Sequence, residues 1–194
     1  MAINYPITLP TVTGVRIIEL QATNAVAISR SPFTFASQVH AYSGQMWSAS
    51  LTLPPMRLTE ARHWTAWLTS LRGQYGSFLL SDTSCSQISG TATSATVTGV
   101  AGDNTISVTM TGTILAGDMI QIGSASDATL HKVLADQSGN GSLEIWPALR
   151  KARTAAALTL TDAKGAFRLA SNEVSWSVDE ASIYGISFSA VEKI

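Results

Sequence analysis

The run Gln45-Met46-Trp47-Ser48-Ala49-Ser50-Leu51-Thr52-Leu53-Pro54-Pro55 decides the fold. Its strict alternation sends Trp47, Ala49, Leu51 and Leu53 to one side of an extended strand. Pro54-Pro55 stops that strand, because neither residue can donate to a sheet ladder. Thr59 then stands as an N-cap, and Glu60 falls where the helix dipole favours a first-turn acid. Trp64, Trp67, Leu68 and Leu71 follow at helical spacing, and Gly73 is placed to end the helix. Gln74-Tyr75-Gly76-Ser77-Phe78-Leu79-Leu80 returns as a strand. This strand–helix–strand unit has a very apolar inner face and no catalytic residue built into it. It points to a part of an assembly and not to an enzyme.

Composition leans the same way. The 194 residues suffice for one large domain or two small ones, with ample core in either case. Charged residues are 13% of the chain, against about a quarter in a typical soluble domain. Ser, Thr, Gly and Ala fill the difference, which suits short strands with hydroxyl-rich outer faces. The formal net charge is −1, so nothing steers the chain toward nucleic acid or an anionic membrane. So low a charge count also fits large subunit interfaces, whose centres are depleted of charge. The single cysteine, Cys85, has no intramolecular partner for a disulfide or a metal site. The N-terminus lacks a basic region followed by an apolar run, and no stretch is long enough to span a bilayer. The expectation is a chain kept soluble in a reducing compartment.

Three textures succeed one another. Residues 1–83 hold most of the aromatic bulk and the one convincing helix. There, 15–20 and 25–30 read as two short strands and Ser31-Pro32-Phe33 as a break. Residues 84–165 turn abruptly to Ser/Thr/Gly/Ala. Five or six short strands, at 96–100, 105–110, 116–122, 130–134, 142–147 and 157–160, are split by Gly-Asp, Gly-Asn-Gly and Asp-Ala-Lys-Gly, which predicts a compact barrel or sandwich. Residues 166–194 return to the first texture, with strands at 166–170, 173–178 and 184–190 and a hairpin turn at Asp179-Glu180-Ala181-Ser182. Too few strands remain there for a separate domain. The economical architecture is a mainly β chain in which 1–83 and 166–194 share one β-sandwich with an amphipathic helix, and 84–165 is an inserted small β-barrel.

Candidate chemistry is thin. His40, His63 and His131 lie far apart, with none in a ligand-spaced cluster, so no metal is assigned. No Gly-x-Ser-x-Gly elbow surrounds any serine, although a Ser, His and Asp can converge without a local motif. Cys85, in a Ser-Cys-Ser setting, shows no activating cation. Asp118 and Asp136 are the tempting carboxylate pair for glycoside hydrolysis, but each sits beside turn residues and reads more simply as a turn carboxylate. Arg150, Lys151 and Arg153 form the only basic cluster and read as a solvated or interface loop, one that in a ring could meet a neighbouring subunit. Trp47, Trp64 and Trp67 lie on the apolar stripes and read as core. Trp146, before Pro147, is the one candidate for an exposed sugar-stacking platform. No catalytic, cofactor-binding or metal residue is assigned.

The order of parts resembles the distal tail proteins of long-tailed bacteriophages, the hub or baseplate ring at the tail tip, and their relatives in gene transfer agents. The resemblance rests on Trp47–Leu53 leading into the helix at 59–72 and the strand at 73–80. It rests also on Leu115-Ala116-Gly117-Asp118-Met119-Ile120-Gln121-Ile122, on Asp136-Gln137-Ser138-Gly139, on Leu143-Glu144-Ile145-Trp146-Pro147-Ala148-Leu149-Arg150, and on the closing stretches 167–169 and 184–192. It covers nearly the whole chain, by architecture more than by identity.

What the resemblance implies is a non-enzymatic structural virion protein without cofactor. Such a protein forms a homo-oligomeric ring, commonly a hexamer, at the junction of tail tube and tail tip. The ring encloses the channel through which DNA passes and docks baseplate, hub or fibre proteins. The place of action would be the virion tail after synthesis in the bacterial cytoplasm, with no membrane partner. The large carbohydrate-binding extension of longer members is lacking. Rival readings are another tail-tip or tail-tube component, a carbohydrate-binding module, and an unrecognised hydrolase.

Overall fold

A computed structural model describes residues 3–82 and 86–194; Cys85 lies outside the described residues. The strands are β1 (Ile17–Arg30), β2 (Ser37–Thr52) and β3 (Met56–Arg57), then the helix α1 (Leu58–Ser70) and β4 (Phe78–Leu80). Next come β5 (Ala95–Gly99), β6 (Thr105–Met110), β7 (Thr113–Ile114), β8 (Met119–Ile122), β9 (Thr129–Val133), β10 (Gln137–Ser138), β11 (Gly141–Trp146) and β12 (Arg153–Thr159). The chain closes with β13 (Gly165–Leu169), β14 (Trp176–Val178) and β15 (Ile183–Glu192). The fold is mainly β, with one α-helix and a small closed barrel.

One seven-stranded sheet joins the two ends of the chain, in the order β1-β2-β15-β13-β4. Its centre is β15. On one side Ser187 to Val191 pair with Thr52 to Ser48 of β2, and past Pro54-Pro55 the same side is continued by β3, with Tyr184 opposite Met56. On the other side Ala190 faces Leu169 of β13, and Ile186 faces Trp176 of β14. The chain leaves this sheet after Leu80 and rejoins it at Gly165. Between them β11-β6-β5-β12-β8-β9 close into a six-stranded antiparallel barrel around Val97, Ile106, Val108, Ile120, Ile122, Leu143 and Ile145.

Alternation on β2 carries through to packing. Trp47, Ala49, Leu51 and Leu53 are all buried, as are Ile186, Phe188 and Ala190 beside them. Against this face α1 lays Ala61, Trp64, Trp67 and Leu68, with Leu71 just past its end. Trp67 meets Phe78 and Phe188 with ring centroids 5.0 and 5.7 Å apart, and Trp64 lies edge-on to Trp67 at 5.7 Å. Rings of this size bury about 150–250 Å² each, and Leu51, Leu68, Leu71 and Leu80 are buried in the same core.

Several local expectations are corrected. β1 is one 14-residue strand and not two short ones, kinked only by a register shift between Asn24 and Val26. β2 begins nine residues before Met46, because its first half pairs with β1 without burying anything. Thr59 does not cap α1: β3 runs directly into the helix, Arg57 is the extended residue at its start, and no side chain closes the first turn. After the helix, Arg72 and Gly73 both take positive φ (53° and 67°), and the Gly76 amide returns to the Leu71 carbonyl at 2.8 Å. That turn consumes Gln74 to Ser77, so the expected strand shortens to Phe78–Leu80.

Candidate functional site

The densest polar arrangement among the described residues lies where the barrel meets the sheet. Arg150 leaves the loop after β11 and grips Glu192 of β15 with two bonds, Nε to Oε1 at 3.0 Å and Nη2 to Oε2 at 2.6 Å. The same Nη2 donates to the Gln45 carbonyl at 2.7 Å. Glu192 also accepts the Trp47 amide at 3.1 Å, so its carboxylate ties three segments together. Gln45 in turn accepts the Ala148 amide at 2.6 Å and Asn104 Nδ2 at 3.2 Å through its side-chain oxygen. A fork-to-carboxylate pair is among the stronger polar contacts and fixes orientation as well as distance.

Apolar and aromatic contacts complete the junction. Met119 and Leu130 of the barrel belong to the sheet's core and not to the barrel's own. Trp47 Nε1 donates to the Leu130 carbonyl at 2.9 Å. Trp146 stands edge-on against Trp47 at 4.5 Å and donates from Nε1 to Asn24 Oδ1 at 2.7 Å. Its ring is therefore committed to holding the barrel against β1 and β2, which removes the exposed-platform reading.

His131 sits below this layer, fully buried, with Nδ1 2.8 Å from the Pro147 carbonyl and Nε2 2.9 Å from Thr129 Oγ1. Nδ1 carries the proton, since a carbonyl can only accept, and Nε2 shares the one hydrogen of the threonine hydroxyl with the Ile122 carbonyl, 3.1 Å from that oxygen. Burial, with Arg150 and Arg153 nearby, pushes its pKa down to about 4, so the ring is neutral at pH 7. His40 and His63 are exposed. No group of three or more His, Cys, Asp or Glu able to hold a metal occurs among the described residues.

All three members of the basic cluster are paired within the molecule, two of them largely out of solvent. Besides Arg150 with Glu192, Asp127 receives Lys151 and Arg153, each at 2.6 Å, and the Lys151 bond leads the causes that lower its pKa. Only Lys151 of the three is well exposed. Of the loop expected to be solvated or at an interface, Lys151 is at the surface, whereas Arg150 and Arg153 turn inward to Glu192 and Asp127, which are distant in sequence.

Asp118 and Asp136 both accept amides of one turn, from the neighbouring residues Leu115 and Ala116. Asp118 accepts Ser89 and Leu115 amides at 2.7 and 2.9 Å, and Asp136 accepts the Ala116 amide at 2.7 Å. Both Asp118 oxygens are thus engaged by backbone, an arrangement that orders residues 115–118. Chemically the junction is a clamp that can hold two bodies in one orientation, and the one hydroxyl–imidazole pair near it, Thr129 with His131, is buried. Gln45 and Glu192 were not singled out on sequence, since neither stands in a motif. No helix of the described residues is long and apolar enough to cross a membrane. No protein-family model matches the chain, and comparison with curated proteins returns no match.

Proposed function

We propose that this chain is a structural ring subunit of the distal-tail type, set between tail tube and tail tip, around a DNA channel, with baseplate, hub or fibre proteins docked on it. The observation that carries the reading is topological. The first and last strands of the chain share one sheet with a single helix against it, and a closed six-stranded barrel is spliced between Leu80 and Gly165. That order of parts is the one the resemblance implies, with a single seven-stranded sheet backed by the helix where a sandwich is expected.

The clamp described above supports the same reading. A docking platform has to keep a fixed aspect toward its neighbours, and the Arg150–Glu192 pair with Trp47 and Trp146 holds the barrel to the sheet in one orientation. In this proposal the 1–83 and 166–194 unit builds the annulus, and the 84–165 barrel faces the tail's other components. Negative-stain class averages of the purified chain test it. Annuli with a central hole wide enough for duplex DNA are expected. Stacked tubes would favour a tail-tube component, and featureless single chains would count against the ring.

A further inference from the structure

Beyond Asn24 and Gln45 the β1–β2 ribbon leaves the body of the protein. Val26 pairs with Ala41, Ile28 with Val39 and Arg30 with Ser37, so these residues share one face. Every residue of 24–30 and 37–44 is exposed. Ile28 is 68% exposed, Val39 60%, and at the tip Phe33 reaches 91% and Phe35 72%. Seven residues of strand make an arm of roughly 20 Å. A two-stranded ribbon with nothing against either face is marginal alone, and a contiguous apolar patch on such a ribbon marks a contact surface. Arg30 is the only Lys, Arg, Asp or Glu between Leu20 and Met56. The arm is therefore apolar with a single positive charge.

A second unpartnered patch has the opposite charge. Trp176 and Val178 of β14 pair with Ile186 and Tyr184, which places them on the inner face of the sheet, yet they remain 41% and 51% exposed. Beside them opens a cleft of about 130 Å³, lined by Leu68, Glu173, Val174 and Phe188 among others, a space of side-chain size. Glu173, Asp179 and Glu180 flank β14 in the chain, with no Lys or Arg between Leu169 and Glu192; the one cation in the adjoining ladder is Arg57, opposite Ile183 on the far side of β15.

We infer that the β1–β2 arm of one copy docks on the β14 face of the next copy. The two surfaces differ in shape and in sign of charge, so the contact is heterologous, head to tail, the kind that propagates round a ring. The inference rests on the ring reading and specifies its interface. Arg30 meets the carboxylates of Glu173 and Glu180, and the Val26/Ile28/Val39 face covers Trp176 and Val178.

Two exposed substitutions in the full-length chain test it, with circular dichroism as the control for folding and sedimentation velocity as the readout. Ile28→Glu spoils the arm and Val178→Arg spoils the face. Each alone should raise the concentration needed for assembly at least thirtyfold, the loss expected of a contact at the centre of an interface. Mixed together, the intact face of one variant meets the intact arm of the other, giving a one-to-one dimer and nothing larger. Either variant assembling like the unmodified chain, or a mixture that stays monomeric, overturns the arm-to-face contact. If the unmodified chain still forms rings in that case, the ring reading survives the loss of this interface. An unmodified chain that is monomeric at every concentration overturns both.

Discussion

Replacing Arg150 by Met removes the guanidinium while keeping much of its aliphatic bulk. The Glu192 carboxylate, whose side chain is 2% exposed, then loses its counter-charge, and the Gln45 carbonyl loses its donor. Uncompensated burial of a charge costs about 3–5 kcal/mol, several times the value of a surface pair. The partner change Glu192→Gln is informative because it removes the charge but keeps an oxygen for the Trp47 amide. The double variant should therefore recover most of the loss, leaving a residue of about 1–2 kcal/mol for hydrogen bonds not remade. Urea unfolding at pH 7, followed by circular dichroism, reads both variants as shifts of midpoint at unchanged slope. A single-variant loss under about 1 kcal/mol would mean that water screens the pair. A double variant as damaged as the single one would mean that the guanidinium matters by packing and not by charge. Either result refutes the clamp.

Two further predictions concern particular residues. His131 has a folded pKa of about 4 against 6.5 for a free imidazole, so the unfolded chain binds its proton first. Its contribution is complete above pH 6.5 and is lost as pH falls from there toward 4, about 3 kcal/mol over the window. Stability measured across that range should decline in the unmodified chain and flatten in His131→Gln, and parallel curves would disprove the assignment. Gly73→Ala should cost about 1–3 kcal/mol, because φ is +67° and the new Cβ would lie 2.8 Å from Asn172 Oδ1. A thermal midpoint equal to that of the unmodified chain would show that this turn relaxes freely.

What was legible in the sequence follows the physics of local signals. The 47–53 alternation and the Trp64/Trp67/Leu68/Leu71 stripe are periodic because they face a core, and both were found. The barrel's short strands showed through their turn residues, with β6 at its observed bounds and the others displaced by a few residues. The outer halves of β1 and β2 were misread because a ribbon exposed on both faces has no core-facing period to display. Thr59 misled because the helix start is set by β3 pairing with β15, some 126 residues downstream in the case of Arg57 and Ile183. Trp146 and Arg150 misled for the same reason: Asn24, Trp47 and Glu192, which fix their roles, are neighbours only after the barrel has docked.

The central claim is that copies of this chain close into a ring, and its most direct test is native mass by light scattering across a hundredfold range of concentration. Closed point symmetry predicts a plateau at a small fixed multiple of the 20.5 kDa chain mass, with six copies expected. A mass that keeps growing with concentration would mean an open, non-closing contact. A mass of one chain at every concentration would contradict the account outright.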